Sequence, residues 1–308
     1  MGKQKVSIFW FRRDLRLDDN RGLYHALKSD FPVLPVFIFD QNILKDLSDK
    51  KDARVSFIHQ ELSEINNELK SKGTQLHTFY STPLNTFKKL LEEYDIREVH
   101  TNRDYEPYAT ERDAQIEELL KDRAKFFTHK DQVIFEPDEV LKDDDTPYLV
   151  YTPYSKKWLS EVTEKDYEPY TSGLQFENWV SIGFKEIIPL KEMGFQQTDI
   201  ELPGKELKAA TVEHYADERN FPAKDSTSRL GIHYRFGTVS IRKMAAKAAK
   251  SEENTYLKEL IWREFFMCIL YHFPRVVENN YSQKYDGVQW RNDEKEFEKW
   301  KTGQTGYP

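Results

Sequence analysis

The sequence predicts an α/β fold, with a Rossmann-like parallel-sheet domain first and an all-α domain after it. Three observations carry this. Apolar runs of strand length alternate with helical patterns over roughly the first 100 residues. A Pro- and Tyr-rich stretch then interrupts the periodicity, and beyond Pro203 only helical spacing returns. Val6–Phe11 and Val33–Phe39 are apolar at nearly every position, as strands buried on both faces are. The segment between them, Asn20 to Lys28, is helix-like. Gln75–Tyr80 and Arg97–Thr101 read as further strands. They are separated by helical patterns at 54–70 (Val55, Ile58, Leu62, Ile65, Leu69) and 83–94 (Leu84, Phe87, Leu90, Leu91). Such alternation implies crossover helices over a parallel sheet, with ligands outside the carboxyl ends of the strands. The expected domains are 1–135 (α/β), 136–202 (connector with Thr146-Pro-Tyr, Thr152-Pro-Tyr and Glu168-Pro-Tyr) and 203–308 (helical). In the last, Ile241, Met244, Ala245 and Ala248 line one helix face, and Leu257, Leu260, Ile261, Phe265 and Cys268 line another.

Composition narrows the function. The 308 residues exceed what one hydrophobic core usually organises, which favours two domains, and 14% aromatics exclude a disordered chain despite 32% charged residues. The single cysteine, Cys268, excludes an intrachain disulfide framework and a cysteine-only zinc cluster. No apolar run reaches the roughly 20 residues of a membrane span, and the N-terminus does not read as a signal peptide. A soluble, monomeric, cytoplasmic protein is expected. A net charge of −7 argues against bulk electrostatic coating of nucleic acid. It leaves room for a local basic surface: between Arg219 and Lys250, eight Lys/Arg face one acid, Asp225. The plain alternative is a solvated helix face.

The catalytic inventory is nearly empty. The sequence lacks G-x-G-x-x-G, G-x-x-x-x-G-K-[ST], H-E-x-x-H and C-x-x-C, and its histidines are too scattered for helix-borne metal ligation, so no metal is expected. Cys268 falls on an apolar helix face and reads as a buried, inert thiol. Reactive chemistry would therefore come with a cofactor. Two stretches stand out. In Tyr215 to Gly231, Thr227, Ser228 and Arg229 put two hydroxyls and a guanidinium beside backbone donors, a group suited to a diphosphate; an ordinary helix-capping Ser/Thr loop is the alternative. In Glu259-Leu-Ile-Trp-Arg-Glu-Phe-Phe266, helical spacing puts Glu259, Trp262, Arg263 and Phe266 on one stripe; a solvated i,i+4 pair of Glu259 and Arg263 would explain the spacing equally well.

Phe9-Trp-Phe-Arg-Arg-Asp-Leu-Arg-Leu-Asp-Asp-Asn20, Arg219-Asn-Phe-Pro222 with Thr227-Ser-Arg-Leu-Gly231, Glu259-Leu-Ile-Trp-Arg-Glu-Phe265 and Thr305-Gly-Tyr-Pro308 resemble, in this order and at these separations, the photolyase/cryptochrome family, most of all its class I cyclobutane pyrimidine dimer enzymes. The resemblance implies an α/β antenna domain and a helical FAD-binding domain. It assigns Tyr215, Thr227, Ser228, Arg229, Leu230 and Gly231 to the FAD loop, places Tyr256 where relatives carry an aromatic against the cofactor, and puts Arg263 near the flavin phosphates. Glu259 would hydrogen-bond a flipped dimer and Trp262 would stack on it. Animal cryptochromes and (6-4) photolyases usually carry Gln in place of that acid, so Glu259 favours cyclobutane dimers. The implied activity is light-driven repair of ultraviolet-damaged DNA by electron transfer from excited reduced FAD, and Trp290 resembles the surface tryptophan through which flavin is photoreduced. Charge alone nominates Arg235, Arg242 and Lys243 as DNA phosphate contacts. Folate-binding relatives carry Asn-Glu where this chain has Tyr108-Ala109, so folate is disfavoured as a second antenna chromophore; a deazaflavin, a second flavin or an empty site stay open. Relatives continue past the position of Pro308, so the resemblance implies a C-terminally truncated, incomplete FAD domain and weak or no flavin retention. A signalling cryptochrome and a flavin-free fragment are the competing readings.

Overall fold

In the computed structural model, which describes residues 2–307, the chain forms two compact units, one up to His272 and one from Phe273 onward. The first opens with strands β1 (Lys5–Phe11), β2 (Val33–Asp40), β3 (His77–Ser81), β4 (Asp95–Asn102) and β5 (Lys125–His129), all parallel, in the order β3-β2-β1-β4-β5. Helices α1 (Arg21–Leu27), α2 (Gln41–Leu44), α3 (Ala53–Lys70), α4 (Pro83–Glu93) and α5 (Pro107–Leu120) make the crossovers. The α/β expectation holds, and the alternation of side chains explains the continuous apolar text. Val6, Ile8 and Trp10 join Leu34, Val36 and Ile38 in one core, while Phe9 and Phe11 join Val33, Phe37 and Phe39 in another on the opposite face.

Two N-terminal elements were illegible from periodicity. Helix α5 buries only Ala109, Ile116 and Leu120. Strand β5 is a short edge strand, Lys-Phe-Phe-Thr-His, with no fully buried residue. The predicted connector contains α6 (Tyr151–Glu161), which buries Tyr154 and Trp158 against the helical core.

Short helices α7 (Ala209–Glu213), α8 (Tyr215–Glu218) and α9 (Gly231–Phe236) precede α10 (Ile241–Ala248) and α11 (Thr255–His272). Leu257, Leu260, Ile261, Phe265 and Cys268 of α11 are buried as the spacing requires, and burial pushes the Cys268 thiol up to about 12, which keeps it protonated. The second unit carries α12 (Glu294–Lys301) and irregular backbone. No helix among the described residues is long and apolar enough to cross a membrane.

The sheet's carboxyl end is stitched to the helices by buried charge. After β1 the chain turns through Asp19, fully buried at φ 48°. After β5 comes Asp131. Arg242 of α10 reaches both: its Nε donates to Asp19 Oδ1 at 2.9 Å, and its Nη2 donates to the Asp19 carbonyl and to Asp131 Oδ1, each at 2.8 Å. Arg16 pairs with the other oxygen of Asp131 at 2.7 Å. Burial alone would raise the Asp131 carboxyl, but the two guanidiniums outweigh it and hold it below the usual carboxylate range. Beside this network Gly237, at φ +62°, packs so closely on Arg13 and Asp14 that a Cβ would strike the Arg13 carbonyl oxygen.

Candidate functional site

Helix α11 organises the candidate site. Glu259, half exposed, forms an ion pair with Arg219, whose guanidinium also lies over the Tyr215 ring at 5.8 Å. Tyr215 meets Tyr256 edge-on, with ring centroids 4.9 Å apart at 73°. The Tyr256 hydroxyl donates to Ser228 Oγ at 2.8 Å and lies 2.9 Å from the Tyr234 hydroxyl. A continuous run of contacts thus joins the Glu259 carboxylate to the Thr227–Gly231 loop. Burial raises the pKa of both Tyr215 and Tyr256, so these rings act as neutral hydrogen-bonding and packing groups at physiological pH.

The loop is anchored at its end and open at its centre. Leu230 is fully buried, whereas Thr227, Arg229 and Gly231 are exposed. Arg229 adopts φ 54° and pairs with Asp225 at 2.7 Å, with both side chains largely in solvent. Ser226 Oγ is shielded from solvent and has no hydrogen-bond partner. An orphaned hydroxyl beside exposed Thr227 and Arg229 is the donor chemistry a diphosphate-bearing cofactor requires, so these residues fit such a group.

On the same helix the Trp262 indole stacks on Tyr151 of α6, with centroids 3.5 Å apart and planes 7° from parallel, and is flanked by Phe266 at 5.4 Å and 24°. Phe266 is 61% exposed. Glu259 and Trp262 therefore present a carboxylate and an aromatic platform one turn apart on a surface open to solvent.

Other candidates lie elsewhere. Arg263 turns toward the α/β layer: Nη1 donates to the Gln132 carbonyl at 2.7 Å and Nη2 to the Tyr234 carbonyl at 3.2 Å. Burial lowers its pKa to about 10, leaving it charged, and its donors tie α11 to the loop after β5. The nomination of Arg242 as a DNA contact is corrected: at 4% exposure its guanidinium is spent on Asp19 and Asp131. Charge counting missed this because its acidic partners stand far away in sequence. Arg235 and Lys243 are exposed, yet each pairs with an acid of the α/β layer, Glu106 and Asp18 respectively. Three of the eight basic residues of the window thus face the α/β layer. Trp290 belongs to the second unit, in irregular backbone before α12, and is 70% exposed.

Sequence reasoning missed Glu264 entirely. Its buried carboxylate accepts from Ile134 N at 2.7 Å, Phe135 N at 3.0 Å and Trp158 Nε1 at 2.6 Å, and burial still pushes its pKa up to about 7. Tyr151 and Tyr234 were also unread, and Arg219 stood in a motif without a role, since only tertiary contact gives them one. Among the described residues no group of three or more His, Cys, Asp or Glu could hold a metal ion.

Residues 7–171 match the family model described as DNA photolyase, more than half of the chain. The chain belongs to the DNA photolyase family. Residues 256–308 match the model of the FAD binding domain of DNA photolyase, which covers Glu259, Trp262 and Trp290; the Thr227–Gly231 loop lies between the two matched stretches. A deoxyribodipyrimidine photo-lyase of Synechococcus sp. is 32% identical over 98% of this chain and 68% of its own length. One from Halobacterium salinarum is 30% identical over 98% of this chain and 69% of its own. Among solved structures, a class III photolyase from Agrobacterium tumefaciens superposes with a TM-score of 0.79 at 26% identity, covering 100% of this chain and 67% of that one. An archaeal photolyase from Sulfolobus tokodaii, described with two FAD molecules, gives 0.76 at 27%, covering 98% and 68%. This photolyase-family chain has the α/β-plus-helical architecture that its sequence predicts.

Proposed function

We propose that this chain acts in the light-driven repair of cyclobutane pyrimidine dimers in DNA, with FAD as cofactor. The observation that carries the reading is the adjacency on α11 of Glu259 and Trp262, joined through Arg219, Tyr215 and Tyr256 to the hydroxyl-rich Thr227–Gly231 loop. Names of the relatives, deoxyribodipyrimidine photo-lyase, support the substrate class.

Bound reduced FAD supplies the photo-excited electron that no side chain can. The chain's own residues supply the rest. Thr227, Ser228 and Arg229 would hold the diphosphate through hydroxyl and guanidinium donors. Arg219 pairs with Oε1 of Glu259, and the other carboxylate oxygen would accept a hydrogen bond from the N–H edge of a flipped pyrimidine. The open edge and exposed face of the Trp262–Phe266 platform would replace the stacking that the flipped bases lose, worth about 1–3 kcal/mol per base. Tyr151, already stacked on Trp262, fixes the platform's orientation.

The test is to illuminate the chain, supplied with excess reduced FAD, in the presence of a thymine-dimer oligonucleotide. Dimer loss supports the proposal, and Trp262→Ala should weaken lesion binding about 5- to 150-fold while flavin binding persists. Stoichiometric flavin without repair would point instead to a photoreceptor, and neither flavin nor repair to a flavin-free fragment.

A further inference from the structure

A second polar site borders the buried charge network at Arg242. A cleft of about 220 Å³ is lined by Arg21, Lys130, Lys165, Tyr170 and Arg242, together with the acids Asp166 and Glu168. Two guanidiniums lie over the Tyr170 ring, Arg21 at 5.2 Å and Arg242 at 5.1 Å from its centroid. Arg242 is neutralised by Asp19 and Asp131, and Lys130 by Glu139 at 2.6 Å. Arg21 and Lys165 are not: among the described residues neither is within ion-pair distance of a carboxylate. Asp166 does not serve them, because it caps Thr163, accepting from its N and its Oγ1 at 2.8 Å each. Arg21 Nε is shielded from solvent and makes no hydrogen bond.

A guanidinium with an orphaned, desolvated donor, facing a second unpaired cation across a cleft, calls for a multivalent acceptor. The cleft has room for a phosphoryl group together with several waters. We propose that the Arg21–Lys165 cleft binds a small phosphate-bearing molecule through one phosphoryl group, Arg21 giving the directional hydrogen bonds and Lys165 the second charge. Tyr170 holds the Arg21 fork in place, and Arg242, tied into the acidic network, forms the floor. The site uses none of the residues assigned to flavin or lesion and does not depend on the repair reading.

The test titrates inorganic phosphate into the full chain by calorimetry, at constant ionic strength set with chloride. Saturable one-to-one binding is expected, weakened about 10- to 100-fold by Arg21→Met and by Lys165→Met, and unchanged by Lys243→Met. Circular dichroism checks that each variant is folded; should Arg21→Met not fold, Lys165→Met decides alone. Equal phosphate affinity in the wild type and Lys165→Met overturns the proposal, as does chloride competing as well as phosphate. Arg21-dependent binding of undamaged duplex DNA that phosphate fails to displace would also overturn it, assigning the cleft to a nucleic-acid backbone.

Discussion

Arg242→Met tests whether the basic window serves the protein's interior or its DNA. The substitution keeps an unbranched apolar stem and removes three guanidinium hydrogen bonds, to Asp19 Oδ1, the Asp19 carbonyl and Asp131 Oδ1. Asp131 keeps Arg16 at 2.7 Å and the Arg21 backbone N–H at 3.1 Å. Asp19 keeps the Tyr170 N–H at 2.7 Å and the Ser240 hydroxyl, but no cation. Removing one partner of a buried ion pair costs about 3–5 kcal/mol; the surviving hydrogen bonds favour the lower end, so about 3 kcal/mol is expected. The penalty should depend on pH. In the wild type the Asp131 carboxyl is depressed, so its stabilising contribution is complete above the ordinary value of 3.8 and is lost as pH falls through the folded value. Without Arg242 the carboxyl is held down less strongly and takes up its proton earlier as pH falls, so the gap between wild type and variant is smaller at pH 4 than at pH 7. Urea unfolding at both pH values reads this, with Lys243→Met, whose ion pair with Asp18 is largely exposed, as a control costing under about 1 kcal/mol. Unchanged stability in Arg242→Met, combined with a salt dependence of DNA binding reduced by about one charge, would refute the internal role.

Three further outcomes follow from buried contacts. Glu264→Gln should remove one pH dependence: the raised carboxyl stabilises fully below its ordinary value near 4.5 and loses that contribution as pH rises through about 7, so the stability of the wild type relative to the variant declines across this window. The variant should also be less stable at pH 5 by about 1–3 kcal/mol, since its amide N–H₂ sets donor against donor at Ile134 N or Phe135 N; parallel urea curves at pH 5 and 7.5 check both. Tyr256→Phe leaves Ser228 Oγ and the Tyr234 hydroxyl each short of a partner, for a loss of about 0.5–1.5 kcal/mol and faster amide exchange around Leu230, measured by mass spectrometry. Gly237→Ala combines positive φ with a clash at the Arg13 carbonyl and should cost about 2–5 kcal/mol in urea unfolding; a near-neutral result would contradict the close approach of that turn to the loop after β1.

What was legible in the chain is what repeats locally. Val6–Phe11 and Val33–Phe39 announce central strands because both faces are buried, and the α11 spacing announces Cys268 as a core thiol because one face is. Strand β5 and helix α5 were unreadable for the converse reason: an edge strand and a helix touching the core at few positions carry little apolar rhythm. The Glu259 and Trp262 platform could be nominated from motif spacing, but Tyr151, which fixes the indole from more than a hundred positions upstream, could not.

By itself the sequence determined the α/β and helical layers, the shared stripe of Glu259 and Trp262, and the hydroxyl-rich loop, since helical and strand periods are properties of neighbouring residues. Tertiary structure decided which charges face water. Arg242 and Lys243 are adjacent and chemically alike, yet one lies among Asp19 and Asp131 while the other sits in solvent beside Asp18. Coulombic partners are chosen by distance in space, and no count along the chain measures that distance.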